Sequence, residues 1–407
     1  MLNGPAAEDI LFRMASPQNE LYPSLSDRKL VLAGQIAFLP TGLLQTMLGP
    51  MLPIMIARWA MNDTQAGNLF LVQFLASLVG VQLSGFLLSR LGFRPAFLSG
   101  LLLMACGVAT LFAGPLWLGM ISVAVLGLGI GLIVPSDNLL IAEISLDSHS
   151  GAASKAGAVS LLNFFWGIGA VFCSLMVAWT AAHHLLPFFL GSVAVFLVLL
   201  ALAMRNLPFP AAAKAVESSS TSSWRELAKS PAIWIFAAIF FLYPGAETAV
   251  GGWIASYVAR LGAHGIEIAS LMPAFFYAAL TLGRALGTIF LRRFPERLVL
   301  RVGYGAGAAG IGLMLLAPAL SVVIGGALIT GLSFATLYPI TVARLSQRFG
   351  VGARTIGAVM FSLASVGPAV IPWMVGVISH STGSLRAGLV LPLAATVILF
   401  VVHLFEW

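Results

Sequence analysis

Glu247 lies in the stretch Phe240-Phe241-Leu242-Tyr243-Pro244-Gly245-Ala246-Glu247-Thr248-Ala249-Val250-Gly251-Gly252-Trp253, inside an apolar run from Ala232 to Val258. Counted from Ala232 at helical rise, its carboxylate sits roughly 22 Å into a hydrocarbon layer about 30 Å thick, beyond reach of either surface. Ionisable groups at that depth face a bundle interior or a water-filled cavity, and they mark ion, proton or substrate pathways. Glu247 is therefore read as a proton carrier; the plainer alternative is a hydrogen-bonded Glu that fixes helix packing. Pro244 removes a backbone donor and Gly245, Gly251 and Gly252 weaken the helix. This predicts either a break that offers carbonyls to a ligand or close packing through small residues.

Other polar residues inside apolar runs extend the list. Asp137, late in its run, is a second candidate for a proton or cation, or else a residue of a gate near the surface. Arg284, in Thr281-Leu282-Gly283-Arg284-Ala285, is the one base well inside a span. It is a partner for Glu247 or for an anionic substrate group, or it snorkels to the nearer surface. Gln45, Asn138 and Asn163 offer paired donors and acceptors, and Trp166, Trp253, Tyr257, Tyr277 and Tyr338 offer flat faces with polar edges. Amides beside aromatic faces suit a polyhydroxylated ring. Asn163 and Trp166 are three residues apart and share a helix face. Trp253 and Tyr257, near the end of their run, read first as packing or interfacial anchors.

The elements that must hold these residues are membrane spans. Of 407 residues, 59% are hydrophobic and only 9% charged, and the mean hydropathy of +1.00 excludes a soluble globular chain. At about 20 residues per span, apolar runs lie near 30–58, 64–89, 95–114, 116–141, 154–181 and 185–204. They resume near 230–260, 267–291, 298–317, 319–346, 354–380 and 384–404, so an all-α membrane protein of twelve transmembrane helices is expected. Residues 1–27 lack the apolar centre of a signal peptide and read as a cytoplasmic tail. Residues 206–228, with Ser218-Ser219-Ser220-Thr221-Ser222-Ser223, read as a cytoplasmic linker between helical bundles at 28–205 and 229–407.

The two bundles echo one another at a shift of about two hundred residues. Gly42 answers to Gly245, Gly127 and Pro135 to Gly331 and Pro339, and Gly157-Ala158-Val159 to Gly357-Ala358-Val359. Pseudo-symmetric six-helix halves imply a cleft between them near the midplane, open alternately to each side.

With both termini cytoplasmic, all of the 21 Lys and Arg except Arg58, Arg260, Arg386 and the intramembrane Arg284 fall on the cytoplasmic side. The positive-inside rule thus accounts for the net charge of +7 and no nucleic-acid partner is implied. Arg90, Arg94, Glu143, Arg292 and Arg354 cluster at cytoplasmic ends and are read as an inner gate. The six His residues fall at loops or helix ends, and neither a metal site, a P-loop nor an enzymatic constellation appears, so no cofactor is expected. Energy then comes from an ion gradient or from the substrate's own gradient. Cys106 and Cys173 lie within spans and read as small core residues.

The run Gly85-Phe86-Leu87-Leu88-Ser89-Arg90-Leu91-Gly92-Phe93-Arg94 resembles the loop between the second and third helices of the major facilitator superfamily, with Ser89 where that family has Asp. Gly245-Ala246-Glu247, Gly251-Gly252-Trp253, Asn163-Phe164-Phe165-Trp166-Gly167, Gly283-Arg284, Gly331-Leu332-Ser333 and Tyr338-Pro339 further resemble its fucose permease branch. Val134 stands where that branch often has Glu four residues before Asn138. The resemblance implies the major facilitator fold and a sugar:cation symporter.

The expected function is secondary active transport of a sugar or similar small polar solute across the inner (plasma) membrane, by alternating access and proton-coupled symport. H⁺ is favoured over Na⁺ as the coupling ion, and a monomer as the working unit. The alternatives are a proton-coupled exporter of amphipathic compounds and a non-transporting membrane sensor.

Overall fold

The computed structural model describes residues 25–147, 152–210, 230–262, 264–316, 319–349 and 353–405, apart from the side chains of 25–28, 142–143, 145–147, 152–159, 288, 353–355 and 358. The chain is helical throughout these segments. Most of the proposed tail and linker falls outside them.

The first span is a bent pair, α1 (Leu25–Thr46) and α2 (Leu48–Trp59), meeting at 42°. The bend has a local cause. Pro50 and Pro53 cannot donate to the carbonyls of Thr46 and Gly49, four residues earlier. Gln73 of α3 (Asp63–Arg90) reaches the turn just before the bend, its Nε2 donating to the carbonyls of Leu44 (3.4 Å) and Gln45 (3.3 Å).

Then follow α4 (Phe93–Thr110), α5 (Leu116–Asp147), α6 (Ala152–Ala182) and α7 (Leu186–Met204). The second half holds α8 (Pro231–Arg260), α9 (Ile266–Arg293), α10 (Glu296–Leu316), α11 (Leu320–Phe334), α12 (Leu337–Phe349), α13 (Ala353–Thr382) and α14 (Leu385–Leu404). The helices α11 and α12 together form one apolar span of 30 residues. Among the described residues, 11 elements are long and apolar enough to cross a bilayer, and the bent first pair makes the expected 12.

The anticipated break at Pro244 does not occur, because α8 runs continuously for 30 residues. One missing donor is tolerated in a membrane helix. The glycines nearby serve close packing instead: a methyl group on Gly49 of α2 would come within 2.5 Å of the Gly251 carbonyl oxygen of α8.

Packing runs chiefly within each half: α3 and α4 lie on α5, and α1 lies on α6; in the second half α8 lies on α13, and α11 on α9 and α10. Across the halves, α3 meets α13, α6 meets α9, and α2 meets α8 and α9. Large apolar side chains such as Trp117, Phe188, Leu199 and Trp234 stay exposed on the outer surface, as a lipid-facing bundle requires.

Candidate transport site at the junction of the halves

Gly42 sets the geometry on the first-half side. Its missing side chain lets α1 lie directly on the backbone of Trp166 in α6, where a Cβ would collide with the Trp166 carbonyl. Gln45, almost one turn on, then accepts a hydrogen bond on Oε1 from Trp166 Nε1 at 3.0 Å. From the second half, the Arg284 guanidinium lies over the Trp166 ring, 5.2 Å from its centre, and Tyr277 meets the same ring edge-on at 6.2 Å. Gly167 makes this approach of α6 to α9 possible, since a side chain there would strike Thr281.

Arg284 Nη2 is 3.7 Å from Glu247 Oε1, and the two side chains are 21% and 16% accessible. This is an ion pair beyond hydrogen-bonding distance. The other carboxylate oxygen, Oε2, bonds the hydroxyl of Tyr243, which also lies 2.8 Å from the Phe334 carbonyl oxygen. Tyr338 stacks on Tyr243 at 6.3 Å with an interplanar angle of 22°. Six of the residues expected from sequence, Gln45, Trp166, Tyr277, Arg284, Glu247 and Tyr338, are thus linked in one cluster that crosses between halves.

Asn138 donates to the Val134 carbonyl of its own helix at 2.8 Å. Asn163 is half-buried nearly one turn before Trp166. Asp137 is fully buried against Gly34 of α1, and neither carboxylate oxygen has a hydrogen-bond partner among the described residues. That burial is incompatible with the reading of Asp137 as a surface gate. Trp253 and Tyr257 are buried in the contact between helices, with Trp253 Nε1 donating to the Pro372 carbonyl (3.0 Å) and Tyr257 Oη to the Met314 carbonyl (3.1 Å). Their polar edges are already taken, so they are corrected from ligand contacts to packing residues.

Of the expected inner gate, Arg90, Arg94 and Arg292 are exposed. Arg94 donates to the Leu207 carbonyl at 2.9 Å, while Arg90 rests over the Phe86 ring at 6.0 Å. The side chains of Glu143 and Arg354 lie outside the described residues.

Two features were missed by sequence reasoning. Tyr243 stood in an aromatic run and was given no role, although its four-residue spacing from Glu247 puts both on one helix face. The second is a clamp at the far end of the bundle. Asn62 and Gln65 form a reciprocal capping box that starts α3 and sets Asp63 in its first turn. Asp63 receives Arg260 Nη1 at 2.8 Å and Nη2 on its other oxygen, and Ser379 donates to it at 2.5 Å. Three helices from both halves, α3, α8 and α13, meet there.

Known proteins fit this architecture. The protein called Bypass of stop codon protein 6 of Saccharomyces cerevisiae is 24% identical over 414 residues, covering 87% of this chain and 77% of the relative. The solved nucleoside transporter NupG superposes with a TM-score of 0.73 at 14% identity, covering 92% of this chain and 99% of NupG. The fucose:proton symporter FucP of E. coli gives 0.62 at 17% identity, covering 93% of this chain and 98% of FucP. Such likeness establishes the fold and sets no branch apart, so the fucose permease resemblance narrows to the superfamily. Residues 36–372 match the family description of the Major Facilitator Superfamily, and the chain belongs to that superfamily of multi-pass, non-enzymatic secondary transporters.

Proposed function

We propose that this transporter carries a sugar or similar small polar solute together with a proton, across the inner (plasma) membrane and with both termini cytoplasmic. The observation that carries this reading is the hydrogen bonding of Glu247. Tyr243 has one hydroxyl proton but two acceptors, the Glu247 carboxylate and the Phe334 carbonyl. With Glu247 ionised, one of these acceptors goes without a donor. With a proton on Glu247, the acid donates to the Tyr243 oxygen, Tyr243 donates to Phe334, and every partner is satisfied. This hydrogen bonding supports Glu247 as a place for a proton where the two halves meet.

The flat face of Trp166, the tyrosines and Gln45 supply the surfaces a hydroxylated solute needs. Asp137, buried in the first half, is a second proton site on this reading, and Asn138 and Asn163 border the solute path. The excess of basic residues at the Arg90 end supports its assignment to the cytoplasm.

The test is uptake by cells and by liposomes under an imposed pH gradient. Glu247→Gln should abolish accumulation against a gradient yet keep exchange and binding, because the amide resembles the protonated acid. Undiminished concentrative uptake by that variant would refute Glu247 as the proton carrier. Extrusion of lipophilic compounds instead of uptake would favour the exporter reading.

A further inference from the structure

We infer that the transported solute bears one carboxylate, and that this group takes the place of Glu247 as the counter-charge of Arg284 when Glu247 is protonated. This rests on the proton-coupled reading above and names its substrate class: small hydroxylated monocarboxylates such as sugar acids.

The argument begins with the donors of Arg284. A guanidinium has five N–H groups in a planar fork. Among the described residues none of them makes a hydrogen bond: Glu247 is held at 3.7 Å and the planar group rests on Trp166. The Arg284 side chain keeps 21% accessibility, so its donors are not fully enclosed by protein. A carboxylate matches that fork with two parallel bonds, which a lone hydroxyl cannot. Trp166 lies beneath the guanidinium and Tyr277 meets the same indole edge-on, so flat surfaces flank the fork.

Charge balance gives the second line. In the ionised pair, Glu247 neutralises Arg284 inside a low-dielectric bundle. Protonating Glu247 would strand the guanidinium, and an unpaired buried charge is strongly disfavoured. An anionic solute arriving with the proton removes that penalty; a neutral sugar does not. Proton and anion therefore bind together, and the loaded site keeps the net charge of the empty one. The titratable groups facing Glu247 are Tyr243 on its own helix, Arg284 and Tyr277 on α9, and Tyr338 on α12, with Tyr304 of α10 beside Tyr243 at 6.4 Å. The helices α2, α13 and α14 also pack on α8 but bring Glu247 no ion-pair partner among the described residues.

The test uses full-length protein purified in detergent and matched probes. Hexuronates, aldonates and 2-hydroxy monocarboxylates are each compared with the uncharged sugar, polyol or methyl ester of the same skeleton. At least one free acid should raise the melting temperature, with at least tenfold weaker binding of its uncharged partner. Because the protonated form of Glu247 is the competent one, affinity for the acid should fall as pH rises, by up to about tenfold per pH unit. That slope should vanish in Glu247→Gln, which should bind the acid at every pH. Arg284→Lys keeps the charge but loses the fork, and should weaken the acid about tenfold without affecting expression. The inference is overturned if no acid binds, if the uncharged partners bind as well as the acids, or if affinity in the unmodified protein does not change with pH. Proton-driven liposome uptake of a neutral sugar, but of no acid, would remove this inference and leave the transporter reading intact. Absence of proton-driven uptake for every probe would remove both.

Discussion

The two ends of the bundle are built differently. At the Asp63 end, one carboxylate ties α3 to α8 and α13, Trp253 is buried with its N–H satisfied, and glycine backbones of α2 and α8 touch. At the Arg90 end, Arg90, Arg94 and Arg292 are exposed, and no ion pair joins the halves among the described residues. Both ends contain arginines on opposite halves, so the presence of arginine alone does not fasten an end. What differs is an acid fixed at a helix start within reach of its partners. Among the described residues the Asp63 side carries an ion-paired clamp between the halves, with the Glu247–Arg284 cluster between the two ends.

Alternating access requires this asymmetry to reverse, and the reversal can be measured. The largest effect is expected from Asp63→Ala, which removes the Arg260 pair and the Ser379 bond together. Allowing for solvent screening of Arg260, the loss is about 2 kcal/mol, or roughly thirtyfold in the equilibrium between the two states. Spin labels at the exposed Ala60 and Thr382 should then show a longer, newly populated distance. An unchanged distance distribution would mean that the clamp does not hold this end closed.

Ser379→Ala removes only one bond and should move the same distribution less, by about 1 kcal/mol. An effect equal to that of Asp63→Ala would assign the closure to Ser379 rather than to the ion pair. The smallest effect belongs to the other end. Glu143→Gln deletes a candidate partner of exposed arginines, worth less than about 1 kcal/mol. If Glu143 contributes to an inner gate, alkylation of a cysteine placed at Ser89 should rise modestly, in a background lacking Cys106 and Cys173. Unchanged or lower labelling removes Glu143 from the gate.

How much of this was legible in the sequence depended on contrast. Glu247, Arg284 and Gln45 stood out because polar groups are costly within apolar runs, and the structure joins them through Trp166. Asp63 has no such contrast, since it begins a span beside Asn62 and reads as an ordinary helix start. Its partner Arg260 is 197 residues away, and no local periodicity reports a pairing at that separation. Trp253 was left between readings for the opposite reason: an indole near a span end suits an interface, a helix contact and a ligand face equally, and the bond to the Pro372 carbonyl favours the helix contact. The bend of the first span was available from Pro50 and Pro53, whereas attention to Pro244 pointed to a break in the wrong helix. Spans and their order survive because hydropathy averages over many residues, while pairings between spans rest on single atoms.

The Asp63 clamp also has a consequence for biosynthesis. Chains are made at about 5–20 residues per second, so Asp63 enters the membrane roughly 10–40 s before Arg260, 197 residues later, leaves the ribosome. Ser379 follows only after 316 residues. During that interval the nascent first half carries an acid whose final partners have not been synthesised, and α3 has no α13 to pack against. Closure of this corner therefore waits on the second half, so the first half is inserted before it can be fastened there.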